Sequence, residues 1–183
     1  MTSDIPFGLE PLAAVATGRA MGVEALAQKQ LSEIPLFGLA SVSVTRTTFD
    51  GADGVRRAGS FDTRFIGNVV LGWRPNAKWE LSGKFRIATG LPTTPYVTSG
   101  PLAGTQDFSR WNEGERLPLF HGLDLRADRR WSLRRVQLVS YIDVQNVYGR
   151  KNVSGLQWNQ REQVLERNEA LGLLPSIGFS IEW

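Results

Sequence analysis

Apolar and polar residues alternate strictly along the segment 175–183. Side chains of a β-strand point to opposite faces in turn, so this alternation predicts a strand with one apolar face and one polar face. The apolar positions are Ile177, Phe179, Ile181 and Trp183. A tilted strand of about this length also crosses a bilayer. The pattern therefore fits either a soluble β-sandwich or a membrane β-barrel.

The same alternation predicts six earlier strands, at residues 17–29, 36–47, 61–74, 79–90, 120–131 and 136–148. The first also fits a helix, because Glu24–Lys29 is Ala-rich and Ala, Leu, Gln, Glu and Lys favour helices. Within the long connection that follows residue 148, a strand extension is predicted at 153–159, whereas residues 161–171 fit either a helical turn or one arm of a hairpin. Residues 1–16 are predicted to be irregular, since Pro and Gly interrupt them.

Short and long connections alternate between the predicted strands. The short ones are 30–35, 75–78 and 132–135, and the long ones lie near 48–60, 91–119 and 149–174. Outer-membrane barrels have short periplasmic turns and long outside loops, whereas a soluble sandwich has no reason to sort its loops by length. The pattern predicts an all-β fold, an antiparallel up-and-down transmembrane β-barrel segment of about seven strands in residues 17–183.

Tryptophans lie at the strand ends that adjoin the short turns or the end of the sequence. They are Trp73, Trp79, Trp131 and Trp183. In the predicted topology these ends lie at one level, and tryptophan is enriched at membrane interfaces, where it forms an aromatic girdle. The alternative is four core tryptophans of a soluble protein.

Charged residues in the strands fall on the polar phase, away from the apolar positions. They are Lys84, Arg86, Asp124, Arg126, Asp128, Arg130 and Asp143. Charges that face lipid at mid-depth cost about 2–4 kcal/mol for Arg and Lys, so these seven are predicted to face a barrel lumen. Arg129 is the exception, because it lies on the apolar phase, two residues from Trp131. We expect its long side chain to reach the headgroup region.

Composition narrows the functional classes. The chain has 183 residues and a formal net charge of +3, which is too small an excess to indicate nucleic-acid binding. It has no cysteine, and His121 is its only histidine, so the sequence predicts neither a metal site nor a cofactor.

The first residues lack the basic and apolar regions of a signal peptide. The turn at Asp50 and Asp53 resembles part of a calcium loop but has too few ligands.

Enzymatic chemistry is not predicted. His121 has no accompanying nucleophile motif, so we expect it to have a surface or rim role. Asp124 and Asp128 share one face of a strand with Arg126 and Arg130. A neutralised ladder of charges fits this arrangement better than an acid–base pair.

Three segments together resemble one family. These are 122–131 (GLDLRADRRW), 141–148 (YIDVQNVY) and 174–183 (LPSIGFSIEW), and 18–29 resembles an earlier strand of the same family. The chain resembles the C-terminal barrel portion of TonB-dependent outer-membrane receptors, from residue 17 onward. The resemblance implies a plugged barrel of about 22 strands in the outer membrane of a Gram-negative bacterium. Such receptors take up siderophore-bound iron, cobalamin or glycans with energy from the inner membrane.

The resemblance also implies partners. They are outer-membrane lipid, the barrel-insertion machinery acting through the terminal strand (with Phe179 and Trp183 as its signal), and, in a complete receptor, a plug domain and TonB. About seven strands are predicted and the sequence shows no plug domain, so we expect a partial receptor. A soluble all-β binding domain and a membrane-barrel enzyme remain the alternative hypotheses.

Ligand contacts are predicted in the long connections, because binding residues concentrate on loops held by a rigid scaffold. Aromatic and arginine side chains anchor ligands most strongly. The candidates in these loops are Tyr96, Phe108, Arg110, Trp111 and Trp158. The alternative for Trp111 and Trp158 is packing of one loop against another.

Overall fold

A computed structural model describes residues 16–51, 53–134 and 136–182. Trp183 of the predicted girdle and the predicted irregular segment up to residue 15 lie outside the described residues. The chain is all-β, and a single 3-10 turn, Phe108–Arg110, is the only helical element in the described part. Its strands are β1 Thr17–Lys29, β2 Leu36–Asp50, β3 Arg56–Ala58, β4 Phe65–Asn76, β5 Trp79–Ala88, β6 Phe120–Leu133, β7 Val136–Gln145, β8 Val153–Asn159, β9 Val164–Glu169 and β10 Leu174–Glu182.

Neighbouring strands pair in an antiparallel meander. The order across the main sheet is β1-β2-β4-β5-β6-β7-β10, β3 pairs with the end of β2, and β8 and β9 form a separate hairpin. Within the described residues the sheet is not closed, and β1 and β10 are its two edges. No helix in this part of the chain is long and apolar enough to span a membrane.

The predicted positions of the strands are confirmed, with differences at their ends. The short strand β3 lies within the loop predicted at 48–60 and was not predicted. Residues 17–29 form a strand and not a helix, and residues 161–171 contain the second arm of a hairpin. The prediction of a strand from residue 61 was wrong, because the N–H of Asp62 donates to Gly59 in a turn and β4 begins only at Phe65. The strand predicted to reach Tyr148 ends at Gln145, because Asn146 has a positive φ of 51°.

The register keeps every strand of the meander in one phase. Residues directly opposite each other share a face, and Val69 pairs with Phe85, which pairs with Leu123. On the next strands Ala127 pairs with Ile142, which pairs with Ile177. These pairs define a continuous face, the apolar face, that runs from β1 to β10. The opposite face, the polar face, carries most of the charged strand residues. The exceptions in the apolar phase include Arg129 and, on β1 and β2, Arg19, Lys29 and Arg46.

The apolar face has no second layer over it within the described residues. Val23 is 76% exposed, Ile177 81% and Phe179 73%. Only Ala88 and Trp158 are buried hydrophobic residues in the described part of the chain. A soluble sandwich buries such a face against a second sheet, and this sheet does not.

Aromatic rings cover glycines on the polar face of neighbouring strands. A Cβ atom on Gly72 would lie 2.0 Å from the ring of Phe37, and one on Gly178 would lie 2.5 Å from Tyr141. Glycine therefore leaves the space into which each ring packs, an arrangement that pins the register of a sheet.

Candidate functional site

The three long connections meet at one end of the sheet and form a loop cap, defined as residues 51–64, 89–119 and 146–173. The Arg57 side chain joins two of them, since it donates to the Glu113 carboxylate at 3.0 Å and to the Ser109 carbonyl at 3.0 Å. Asn112 Nδ2 donates to the Ala58 carbonyl at 2.7 Å. Several polar contacts therefore hold these loops in place.

A buried ion pair connects the same two loops. Asp62 is 1% exposed and pairs with Arg116, which also donates to the Asp62 carbonyl at 2.6 Å and to the Gly90 carbonyl at 3.0 Å. Burial raises the pKa of the Asp62 carboxyl, but the Thr47 N–H and the Arg116 guanidinium outweigh burial, and the pKa lies below its usual value. Asp62 is therefore charged at neutral pH.

The acidic turn that resembles a calcium loop is neutralised by arginines. Arg57 lies 2.7 Å from the Asp53 carboxylate, and Arg56 lies 2.8 Å from that of Asp50. The hydrogen bond from Arg57 lowers the pKa of Asp53 to about 2. Within the described residues no three acidic, histidine or cysteine side chains cluster as metal ligands.

A cavity of about 300 Å³ lies within the loop cap. Tyr96, Phe108 and Trp111, three of the five predicted ligand contacts, line it. The rings of Phe108 and Trp111 lie 5.4 Å apart at 36°, and the 3-10 turn holds both. The remaining polar lining is neutral and comprises Ser60, Thr93, Thr94, Gln106, Asn112 and Ser154.

The other two predicted contacts lie elsewhere. Trp158 is 8% exposed and packs on Gly104, where a Cβ atom would lie 2.4 Å from the indole. Arg110 is exposed and does not line the cavity. The structure thus places Trp158 in loop-to-loop packing, the alternative that its sequence position left open.

Sequence reasoning missed all six polar lining residues, which are Ser60, Thr93, Thr94, Gln106, Asn112 and Ser154. Small polar residues in loops have no periodicity, and nothing in their spacing marks them. Asn112 carried one local signal, because asparagine tolerates the left-handed backbone and here has a φ of 57°.

Three tryptophans lie on the apolar face at the opposite end of the sheet, beside the short turns. They are Trp73, Trp79 and Trp131. The Arg129 guanidinium lies 3.7 Å from the Trp131 ring centroid and 5.2 Å from that of Trp79. The Trp131 indole N–H donates to Ser140 Oγ at 3.0 Å. The one predicted exception on the apolar phase therefore has two aromatic neighbours.

The seven predicted strand charges all lie on the polar face. Lys84 pairs with Asp124 at 2.9 Å, Arg126 with Asp128 at 2.7 Å, and Arg130 with Glu80 at 3.1 Å. Asp143 lies opposite Arg126 in the register, and Arg86 lies 5.6 Å from the ring of Phe120. Cations and anions alternate, so the polar face neutralises most of its own charge.

His121 connects the sheet to the loop cap. Its ring Nδ1 lies 2.7 Å from the Tyr148 hydroxyl, and its backbone exchanges hydrogen bonds of 3.1 and 2.9 Å with the Asn152 side chain. These contacts give His121 an anchoring role at the end of β6.

No protein-family model matches the chain, and a search of curated proteins finds no match either.

Proposed function

We propose that the chain is the C-terminal part of the β-barrel of a TonB-dependent receptor in the outer membrane of a Gram-negative bacterium. The complete receptor takes up a scarce nutrient with energy from the inner membrane. One observation carries the proposal: the apolar face keeps its phase over seven strands and is exposed along its length. Lipid is the cover that we propose for this face, because large exposed apolar surfaces mark membrane or partner contacts and outer-membrane barrels have an outward apolar band.

The two ends of the sheet support an orientation in the membrane. Short turns and tryptophans lie at one end, and the loop cap lies at the other. Periplasmic turns are short and outside loops are long in outer-membrane barrels. We therefore infer that the loop cap faces the outside and meets the nutrient.

The odd number of strands in the meander supports a larger barrel. The meander has seven strands, so β1 and β10 run parallel to each other. Bacterial single-chain barrels are antiparallel and have an even number of strands. In the proposed barrel an odd number of further strands would therefore complete the sheet between β10 and β1. A plug domain and TonB would act with that complete barrel.

The polar face supports a filled lumen and not a lipid contact. Its ion pairs would be costly against hydrocarbon, whereas in a watery or protein-filled lumen they are solvated or paired. A soluble all-β binding domain, the second candidate, would need a partner layer over the apolar face, and none of the described residues forms one.

Solubility separates the two candidates. The purified chain should require detergent or lipid vesicles to remain monodisperse and should co-float with vesicles in a density gradient. A chain that stayed monomeric in detergent-free buffer and did not float with vesicles would contradict the membrane proposal.

A further inference from the structure

We propose that the cavity in the loop cap binds an uncharged, hydroxyl-rich ligand, namely a sugar unit of a glycan, and not an anionic iron chelate. The inference rests on the proposed function for its claim that the cavity is reached from outside. The cavity itself is defined by the loops, whatever surrounds the sheet.

The first argument is charge. Among the described residues that line the cavity, none carries a charge. Two nearby arginines are engaged elsewhere, Arg57 with Asp53 and Glu113, and Arg116 with Asp62. Arg110, between Phe108 and Trp111, is exposed and does not line the cavity. An anionic chelate bound here would lose water without gaining a charged partner, which is unfavourable.

The second argument is the aromatic lining. Tyr96, Phe108 and Trp111 bring three rings to one cavity, and Trp111 is 39% exposed. Sugar rings have faces made of C–H groups, which pack on aromatic faces, while their edges carry hydroxyls. Small-molecule sites combine apolar and aromatic walls with placed polar groups, and this cavity has both kinds of lining residue.

The third argument is the polar lining, which is held in place. Thr94 Oγ1 accepts the Asn112 backbone N–H at 3.2 Å, and Thr93 Oγ1 donates to the Glu115 carbonyl at 2.5 Å. Hydroxyl and amide groups both donate and accept hydrogen bonds, as sugar hydroxyls do. Groups that are fixed before binding lose little freedom on binding, which favours affinity.

Size agrees with a small binding unit. A volume of about 300 Å³ lies at the lower end of the roughly 300–1,000 Å³ of ligand pockets. One or two sugar rings of a longer glycan fit such a space, whereas a whole corrinoid does not.

The test uses the full chain reconstituted in detergent micelles and an array of uncharged oligosaccharides, with ferric tris-catecholate as the anionic probe. We expect at least one uncharged glycan to bind and to quench tryptophan fluorescence, and ferric tris-catecholate not to compete. Binding of no array member, or preferential binding of the ferric complex at the same site, would overturn the inference.

Matched variants locate the site. Trp111→Ala and Phe108→Ala should each weaken glycan binding about tenfold or more, as loss of an aromatic anchor does. Phe61→Ala is the control, because Phe61 lies in the same loop cap, is 86% exposed and does not line the cavity. Its affinity should stay within about twofold. Circular dichroism verifies that each variant is folded, and equal losses in all three would reject the cavity as the site.

The two proposals can fail separately. A chain that floats with vesicles but binds the ferric complex through Trp111 retains its membrane role and loses the glycan inference. A chain that is soluble without detergent and binds a glycan through Trp111 retains the inference and loses the membrane role.

Discussion

At the scale of single residues, the neighbours of a side chain decide its role more than its type does. Arg129 lies on the apolar face, yet its guanidinium stacks on Trp131 and approaches Trp79. Arg130, the next residue, lies on the polar face and pairs with Glu80 at 3.1 Å. Two adjacent arginines therefore have opposite surroundings because a strand alternates its faces.

The face assignment makes a prediction at this scale. Leu125→Arg and Phe179→Arg should block assembly into membranes, because each places a cation on the apolar face at a cost of about 2–4 kcal/mol near mid-depth. Arg126→Leu lies on the polar face and should be milder. Folded protein recovered in outer-membrane fractions, resolved by heat-modifiable migration, measures the effect. Equal losses for the three variants would reject the two faces as assigned.

The ion pair of Asp62 and Arg116 makes a second prediction. Asp62→Asn should lower the free energy of local unfolding of the loop cap by about 1–3 kcal/mol, because the substitution leaves a buried hydrogen-bonding partner poorly satisfied. Limited proteolysis of loop 89–119 at neutral pH measures the change. Arg64→Ala is the control, because Arg64 lies farther from Asp62, at 3.5 Å, and is 56% exposed in its side chain. Comparable cleavage of both variants would contradict a special role for the buried pair.

The same carboxyl gives a pH dependence. The pKa of Asp62 is lowered in the folded state, so its contribution to stability is fully present above the unfolded value of about 3.9. That contribution is lost as the pH falls through the lower folded pKa. We expect proteolytic protection of the wild-type loops to decline below about pH 4 and that of Asp62→Asn to change less. A steeper acid response in the variant would contradict the assignment.

At the scale of elements, the β8–β9 hairpin depends on a close approach to another loop. Its Trp158 packs on Gly104, which has a φ of +87°. The sequence left 161–171 open between helix and hairpin. The arm forms because the Asn159 side chain accepts the N–H groups of Arg161 and Glu162 at the turn.

A pair of glycines tests this packing. Gly104→Ala and Gly100→Ala both place a side chain at positive φ, with φ values of +87° and +82°, at a cost of about 1–2 kcal/mol each. Only the first also brings a Cβ atom to 2.4 Å from Trp158, while Gly100 has open space. Gly104→Ala should therefore lower the thermal midpoint more and change the near-ultraviolet signal of tryptophan. Identical effects would show that backbone strain alone acts there.

At the scale of the whole molecule, the main sheet is an antiparallel meander with two chemically different ends. The loops associate at one end through contacts such as that of Arg57 with Glu113, and the short turns lie at the other. Exposed edges at β1 and β10 invite further strands. Open edges of this kind are what the proposed larger barrel requires.

The orientation makes a prediction at this scale. In cells that produce the complete receptor, epitope tags beside Gly104 and Glu162 should be labelled from outside, because both lie in the loop cap. A tag at Asn76, beside a short turn, should be labelled only after the outer membrane is permeabilised. Labelling of intact cells through Asn76 alone would invert the topology and remove the cavity from the outer surface.

The amino-acid pattern is sufficient to predict most of the strands, the two faces of each strand and the alternation of short and long connections. The alternation of apolar and polar residues is a local property of a strand. It can be recognised in Ile177, Phe179 and Ile181 without knowing which strand lies beside them. The sequence also predicted Tyr96, Phe108 and Trp111 as ligand contacts, because they are aromatic residues in a long connection, and all three line the cavity. The ends of β4 and β7 were missed because turns at Asp62 and Asn146 override the alternation.

The contacts between the loops, and the residues that line the cavity, depend on the tertiary structure. Arg57 and Glu113 lie 56 residues apart in the chain, and no repeat relates them, so only the folded sheet brings their loops together. The same convergence buries Trp158 and adds Thr94 and Asn112 to the cavity. A strand records its environment in its own alternation, whereas a loop contact depends on the geometry of the strands that carry both loops.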